Sequence, residues 1–229
     1  MGWGVCQTPI PVNVAARVSP TTVEAACDRT SRMARRFAGR PQIGPILRRL
    51  IRDAAARLPE LGHIRAGQVL VVAGEARRTS RATIRPLGGK AMRGVEVYFR
   101  GRRVLYVITL RPKFFRHSTP EARVETLLHE LFHISTRFDG TLHRGRRHSV
   151  LKGDLFARRL RPLVRRYLAQ MAPELLEALA FDGEVLARQW LEKPTALPRG
   201  KKGSARKLYS DKQLFLGPVE MITAGSRPH

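Results

Sequence analysis

The sequence predicts an α+β fold: a small, mostly antiparallel sheet packed on one well-signalled helix, with additional N- and C-terminal helices. Three observations carry this. Four short runs rich in β-branched and aromatic residues crowd between residues 68 and 111. Segments with apolar residues at helical spacing flank them on both sides. After the last run comes Ser118-Thr119-Pro120-Glu121, which combines a hydroxyl cap, proline in the first turn and an acid near the positive end of a helix.

Residues 1–20 lack periodicity and read as an irregular arm. Val23, Ala26, Met33 and Phe37 predict a helix from Thr21 to Phe37. Ile43, Ile46, Leu47, Leu50, Ile51 and Ala54 predict a second, from Ile43 to Leu58, with Arg48, Arg49, Arg52 and Arg57 as its solvated face. QVLVVAG (68–74), SRATIRPL (80–87), GVEVYFR (94–100) and RVLYVITLR (103–111) predict strands. Gly101 and Arg102 are expected to form the turn between the last two, with glycine in the first loop position. Val124, Leu127, Leu128, Leu131 and Ile134 line the apolar side of the next helix, which Phe138-Asp139-Gly140 is expected to stop. Further helices are expected from about Val150 to Met171, and from Pro173 to near Leu191.

Residues 193–207 form a basic, Pro/Gly/Ser-rich linker with little prospect of order alone. Residues 209–223 regain enough hydrophobicity to dock back as a terminal strand or turn. The chain thus divides into an N-terminal arm and helices (1–62), a core (63–192), and a basic linker and tail (193–229).

At 229 residues and 43% hydrophobic content, one well-packed domain is feasible. No stretch reaches eighteen consecutive apolar residues, so no membrane span is expected. The N-terminus lacks a basic start followed by an apolar stretch, and the expected location is cytoplasmic. Cys6 and Cys27 are the only cysteines, which excludes a four-cysteine zinc site and argues against a disulfide framework. Any metal must be held by histidines and carboxylates.

The net charge of +25 favours polyanionic partners, and nucleic acid enters as a second candidate partner. Two observations temper that. Of the 43 basic residues 35 are arginine, a bias that GC-rich coding also produces. Aromatics make up just 7%, and no base-stacking platform stands out.

The chemistry concentrates in HELFH, residues 129–133. Residues four apart on a helix share a face, so His129 and His133 can offer two imidazoles to one ion. Glu130 is rotated by about 100° from His129, within reach of a water held by that ion. Two neutral imidazoles suit Zn²⁺, and a catalytic site takes one more protein ligand and leaves a position for water. The cation brings that water's pKa to about 7, so Glu130 can act as general base near neutrality. Glu125, one turn earlier, reads as an exposed carboxylate.

For the third ligand the reading favours His148, at the expected start of the following helix. His143, and a carboxylate such as Asp139, remain as alternatives; Asp139 before Gly140 also suits a turn whose side chain caps backbone amides. Arg137, Arg144 and Arg147 are candidate cations for an oxyanion.

HELFHISTRFDGTLHRGRRH (129–148) is similar to the zincin metallopeptidases. More narrowly, it resembles the metallopeptidases of phages and bacterial genomes, with a layout also similar to SprT-like proteases. The resemblance covers roughly residues 68–170. It implies metal ligands His129 and His133, catalytic Glu130, and a later histidine matched best by His148. Ser149 after His148 departs from the His-Gly of SprT-like members, and their C-terminal cysteine module has no counterpart here.

The function so implied is a zinc-dependent peptidase acting on a protein or peptide substrate. Val104 to Leu110 is the expected sheet edge that would align an extended substrate. The alternative is a basic nucleic-acid-binding protein with a structural or inactive zincin core. In it RRLRPLVRRY (158–167) would track phosphates, although Leu160 and Leu163 among the arginines also fit an ordinary amphipathic helix.

Overall fold

Apolar periodicity becomes burial along helix α1 (Ile43–Arg57), whose Ile43, Leu47, Leu50, Ile51 and Ala54 turn inward. Each buried leucine or isoleucine there contributes about 1.5–3 kcal/mol. Arg49, Arg52 and Arg57 lie exposed on the other side, while Arg48 is half-buried. This computed structural model describes residues 41–74, 80–116, 118–151, 154–181, 184–190, 193–196, 207–209 and 220–223. The N-terminal arm, the helix expected over Thr21–Phe37, both cysteines and most of the basic linker lie outside the described residues.

The fold is α+β, with several small sheets where a single one was expected. In the first, β1 (Val69–Ala73), β5 (Tyr106–Leu110) and β2 (Ala82–Pro86) stand in the order β1-β5-β2. β1 runs parallel to β5, with Val69 opposite Tyr106. β2 runs antiparallel, with Ala82 opposite Leu110. The second sheet joins β4 (Arg102–Arg103), β3 (Val95–Phe99) and β7 (Lys207–Tyr209). The third pairs β6 (Glu184–Ala187) with β8 (Glu220–Thr223), so the tail does supply a strand.

The strand over Val104 to Leu110 is therefore no edge. β5 is buried along its whole length and paired on both sides, as its unbroken apolar run requires. β2, where only Ala82 is fully buried, takes the edge. The β3–β4 turn is also shifted by one residue. Arg100 (φ 50°) and Gly101 (φ 71°) form it, with Phe99 opposite Arg102. Positive φ at both central residues is the type I′ geometry that matches strand twist.

After the short helix α2 (Lys113–Arg116), helix α3 (Pro120–Phe132) starts as its capping residues dictate, Thr119 accepting a hydrogen bond from Ala122 N at 3.2 Å. It stops at Phe132, well before Phe138-Asp139-Gly140. The chain instead doubles back: Ser135 N donates to Thr141 O, and His143 N donates to His133 O at 2.8 Å. Tyr106 holds this turn to the sheet, its hydroxyl accepting from Gly140 N at 3.0 Å and donating to Thr141 O at 2.9 Å. Gly140 (φ 77°) presses against Gly88, and a Cβ on Gly140 would lie 2.7 Å from the Gly88 Cα.

Helix α4 (Leu155–Gln170) begins at Leu155 rather than near Val150, which lies exposed in a turn. It buries Phe156, Leu160, Leu163, Val164 and Tyr167, and exposes Arg158, Arg159, Arg161, Arg165 and Arg166. Helix α5 (Pro173–Glu177) ends far short of Leu191. Strand β6 replaces the expected continuation because its backbone finds sheet partners: it pairs with β8, and Leu186 N donates to Pro41 O at 2.9 Å. Val185, Leu186 and Ala187 are all buried there, a non-local arrangement that overrides helical propensity.

One large apolar cluster joins α1, α3, α4 and α5 to one face of the first sheet, through Val69, Val71 and Ala73. Leu70 and Val72, pointing the other way, join a second cluster with Val95, Val97 and Val107. Buried Arg123 ties α3 to its surroundings through hydrogen bonds from its guanidinium to Phe115 O and Leu179 O. Among the described residues no helix is long and apolar enough to cross a membrane.

Candidate metal centre

Helix α3 lies beside the edge strand β2, and its last turn carries His129 and Glu130, with His133 as its C-terminal cap. The folded-back turn then returns the chain over that helix end. It brings the Nε2 of His148 to 3.1 Å from the Nε2 of His129 and 3.2 Å from that of His133. The three donor nitrogens lie within 4.8 Å of one another. His148 is mounted on a turn before α4, and not on the helix start expected for it.

The imidazoles are held from behind. His133 Nδ1 donates to the Arg146 carbonyl at 2.6 Å, which leaves the lone pair on Nε2, facing the other two rings. Phe156 of α4 packs against all three imidazoles, with ring centroids 4.6 Å from His129, 4.9 Å from His133 and 4.6 Å from His148. The Arg146 guanidinium lies over the Phe132 ring at 4.2 Å and donates to Phe132 O, clasping the returning loop to α3.

Burial sets the electrostatics. Glu130 is only 7% exposed, and burial pushes its carboxyl up to about 7, against the opposing effect of a hydrogen bond from Ile84 N–H. His129 is pushed down to about 4, first by burial and then by the neighbouring His133 and His148. Burial also lowers His133, with the Arg146 carbonyl acting in the opposite direction. Neutral imidazoles are the form that binds a cation, so His129 and His133 are kept ready as donors. Convergent lone pairs repel unless a proton or a cation lies between them, and the donor set suits a metal ion.

These side chains line a cavity of about 370 Å³, together with Ser80, Ala82, Thr83, Ile84, Leu142 and Arg147. The other candidate ligands lie elsewhere. His143 caps the 3₁₀ turn at 144–146, its Nδ1 accepting from Gly145 N at 3.1 Å. Asp139 accepts from Thr141 N and Thr141 Oγ1, at 3.1 and 2.6 Å, the capping role its place before Gly140 suggests. Glu125 is exposed. Arg137 and Arg144 line an adjoining trough, and Arg147 lines both spaces.

Phe156 and the Arg146 carbonyl were not foreseen. Phe156 sits at ordinary core spacing on its helix, and a backbone carbonyl leaves no mark in a sequence.

No curated protein and no solved structure matches the chain. Residues 36–179 match the family described as "Putative phage metallopeptidase", a span that reaches further toward the N-terminus than the motif-based resemblance and takes in all of α1. That span covers more than half the chain and contains all three clustered histidines: the chain belongs to this phage metallopeptidase family.

Proposed function

We propose that the protein is a zinc-dependent peptidase in which His129, His133 and His148 hold the metal and Glu130 is the general base. The observation that carries this reading is the meeting of three imidazole Nε2 atoms beside a buried carboxyl on one wall of an open cavity. Tetrahedral zinc with Zn–N bonds of 2.0–2.1 Å requires neighbouring nitrogens about 3.3 Å apart, and the 3.1 and 3.2 Å from His148 Nε2 to the other two fit that spacing. When bound, zinc supplies Lewis acidity toward a water and the scissile carbonyl.

The chain's own groups do the rest. Glu130, with its raised proton affinity, takes a proton from the attacking water and passes it to the departing amine as the C–N bond breaks. Arg147, on the cavity wall, is the cation available to the developing oxyanion. An extended peptide adds antiparallel to β2, whose second edge is open among the described strands. Thr83 and Arg85 face β5 in the ladder, so Ala82 and Ile84 turn their backbone groups the other way. Ile84 N–H serves Glu130, which leaves its carbonyl and both Ala82 groups for a substrate. An edge strand beside a helix bearing HExxH is a zincin-like layout.

The nucleic-acid alternative is not favoured. The arginines of 158–167 fall on the outer side of an amphipathic helix whose Leu160, Leu163 and Tyr167 are core, which a solvated face explains.

Metal analysis of purified protein and a Glu130→Gln variant test the proposal. One zinc per chain is expected in both, with peptide cleavage in the wild type alone. Cleavage that survives Glu130→Gln, or that proceeds equally in metal-depleted protein, would sink it.

A further inference from the structure

Resting on that reading, we infer that the trough beside the metal centre is a substrate subsite for acidic side chains, placed N-terminal to the bond that is cut. The cleft follows β2. At the start of the strand lies a space of about 470 Å³ lined by Ser80, Arg81, Glu125 and Glu130 among others, where one cation stands with two acids. The histidines and Glu130 occupy the middle. Beyond the end of β2, a trough of about 640 Å³ continues from the metal cavity, sharing Leu142 and Arg147 with it.

Among the described residues four cations, Lys90, Arg137, Arg144 and Arg147, line this trough with a single acid, Asp139. Asp139 is already engaged: Oδ1 serves Thr141, and Oδ2 lies 3.7 Å from Arg137. Lys90, Arg144 and Arg147 form no ion pair among the described residues, so three positive charges face a concave wall without compensation. A concave setting concentrates their field where a convex helix surface disperses it. The wall is stiff, because Gly88 and Gly140 bring the 87–90 and 135–141 segments into backbone contact.

Polarity follows from the strand. A peptide antiparallel to β2 places its N-terminal residues at the C-terminal end of β2, which is the trough, and its C-terminal residues toward Ser80. Acidic side chains on the N-terminal side of the scissile bond therefore meet Lys90 and Arg144, and the opposite side meets a surface with no excess of cations.

The test uses full-length, zinc-loaded protein and a peptide library whose cleavage sites are mapped by mass spectrometry. Glu and Asp should be enriched N-terminal to the cut by about tenfold over Gln and Asn at low salt, shrinking as salt screens exposed charges. Lys90→Glu combined with Arg144→Glu should abolish or invert the enrichment. Arg158→Glu with Arg165→Glu, an equal charge change on exposed α4, should leave it intact.

A second readout is independent of cleavage. A fluorescent Glu-containing peptide should bind the Glu130→Gln protein about tenfold more tightly than its Gln counterpart, and Lys90→Glu/Arg144→Glu should remove the difference. Absence of cleavage with this binding pattern present removes the peptidase reading and leaves the acidic site standing. The inference is overturned by cleavage without acidic enrichment, by enrichment on the C-terminal side, by equal loss in the α4 control, or by equal binding of both peptides. Loss of oligonucleotide binding alone in the Lys90→Glu/Arg144→Glu protein would also overturn it, since the trough would then serve nucleic acid.

Discussion

Replacing Glu130 by glutamine should stabilise the metal-free protein, and increasingly so as the pH rises. The carboxyl is 7% exposed, and burial lifts it from 4.5 to about 7 in the folded chain. The folded state therefore keeps a proton that the unfolded state releases between those values. Stability falls as the pH climbs through that window and levels off above 7. At 1.36 kcal/mol for each tenfold change, the raised proton affinity of Glu130 lowers folding stability by about 3 kcal/mol at pH 9 and about 1 kcal/mol at pH 5. Glutamine has nearly the same shape and can still accept from Ile84 N–H, so the variant escapes the cost and keeps the contact. The histidine contributions are common to both proteins and cancel in the difference. Urea unfolding followed by circular dichroism, with chelator present, at pH 5, 7 and 9 gives the two stability curves. A variant less stable than wild type at pH 9, or a difference constant between pH 5 and pH 9, would show that the carboxyl is not desolvated and refute the reasoning.

Other consequences are equally direct. His148→Ala should weaken zinc binding by about a hundredfold or more in a competition assay, while His143→Ala, which loses only a local cap worth about 1 kcal/mol, should bind zinc like wild type. Phe156→Ala removes a buried ring in contact with all three imidazoles; it should cost about 3–5 kcal/mol in unfolding experiments and lower zinc affinity as well. Tyr106→Phe leaves Gly140 N–H without its buried acceptor and should cost about 1–3 kcal/mol, measured by denaturant midpoint. A zinc titration monitored from pH 8 to pH 5 should show binding persisting below pH 6.5, because burial holds His129 near 4 and His133 below its usual value, so protons compete weakly for these two donors.

Much of the site was legible because its physics is local. Thr119 and Pro120 signal a helix start through the backbone groups they satisfy or dispense with, and α3 begins there. The four-residue spacing of His129 and His133 follows from helix geometry alone. Preference for His148 rested on its expected mount, yet the structure brings it to the other two histidines from a turn. Its approach depends on the doubled-back segment, on Tyr106 forty-odd residues earlier in the chain, and on a glycine contact between two loops. The strand over 106–110 was readable as a strand, but its central place required knowing that β1 returns beside it in parallel. Its lack of polar alternation was the available clue.

The extent of helices fared similarly. Where burial and backbone pairing came from nearby residues, as in α1, the expected span holds almost to the residue. Past Glu177 the sequence kept helical composition, but Pro41 and residues 220–223 offered its backbone sheet partners. From the residues in order one could deduce the amphipathic helices, the capped start of α3, and the offering of two imidazoles and a carboxylate by a single helical turn. These are matters of spacing and sterics over a few positions. The third imidazole, the phenylalanine behind the cluster, the terminal place of β2 among the described strands and the cationic trough arise where segments distant in sequence are packed together. Only the summed burial of the core selects that packing, and no local pattern encodes it.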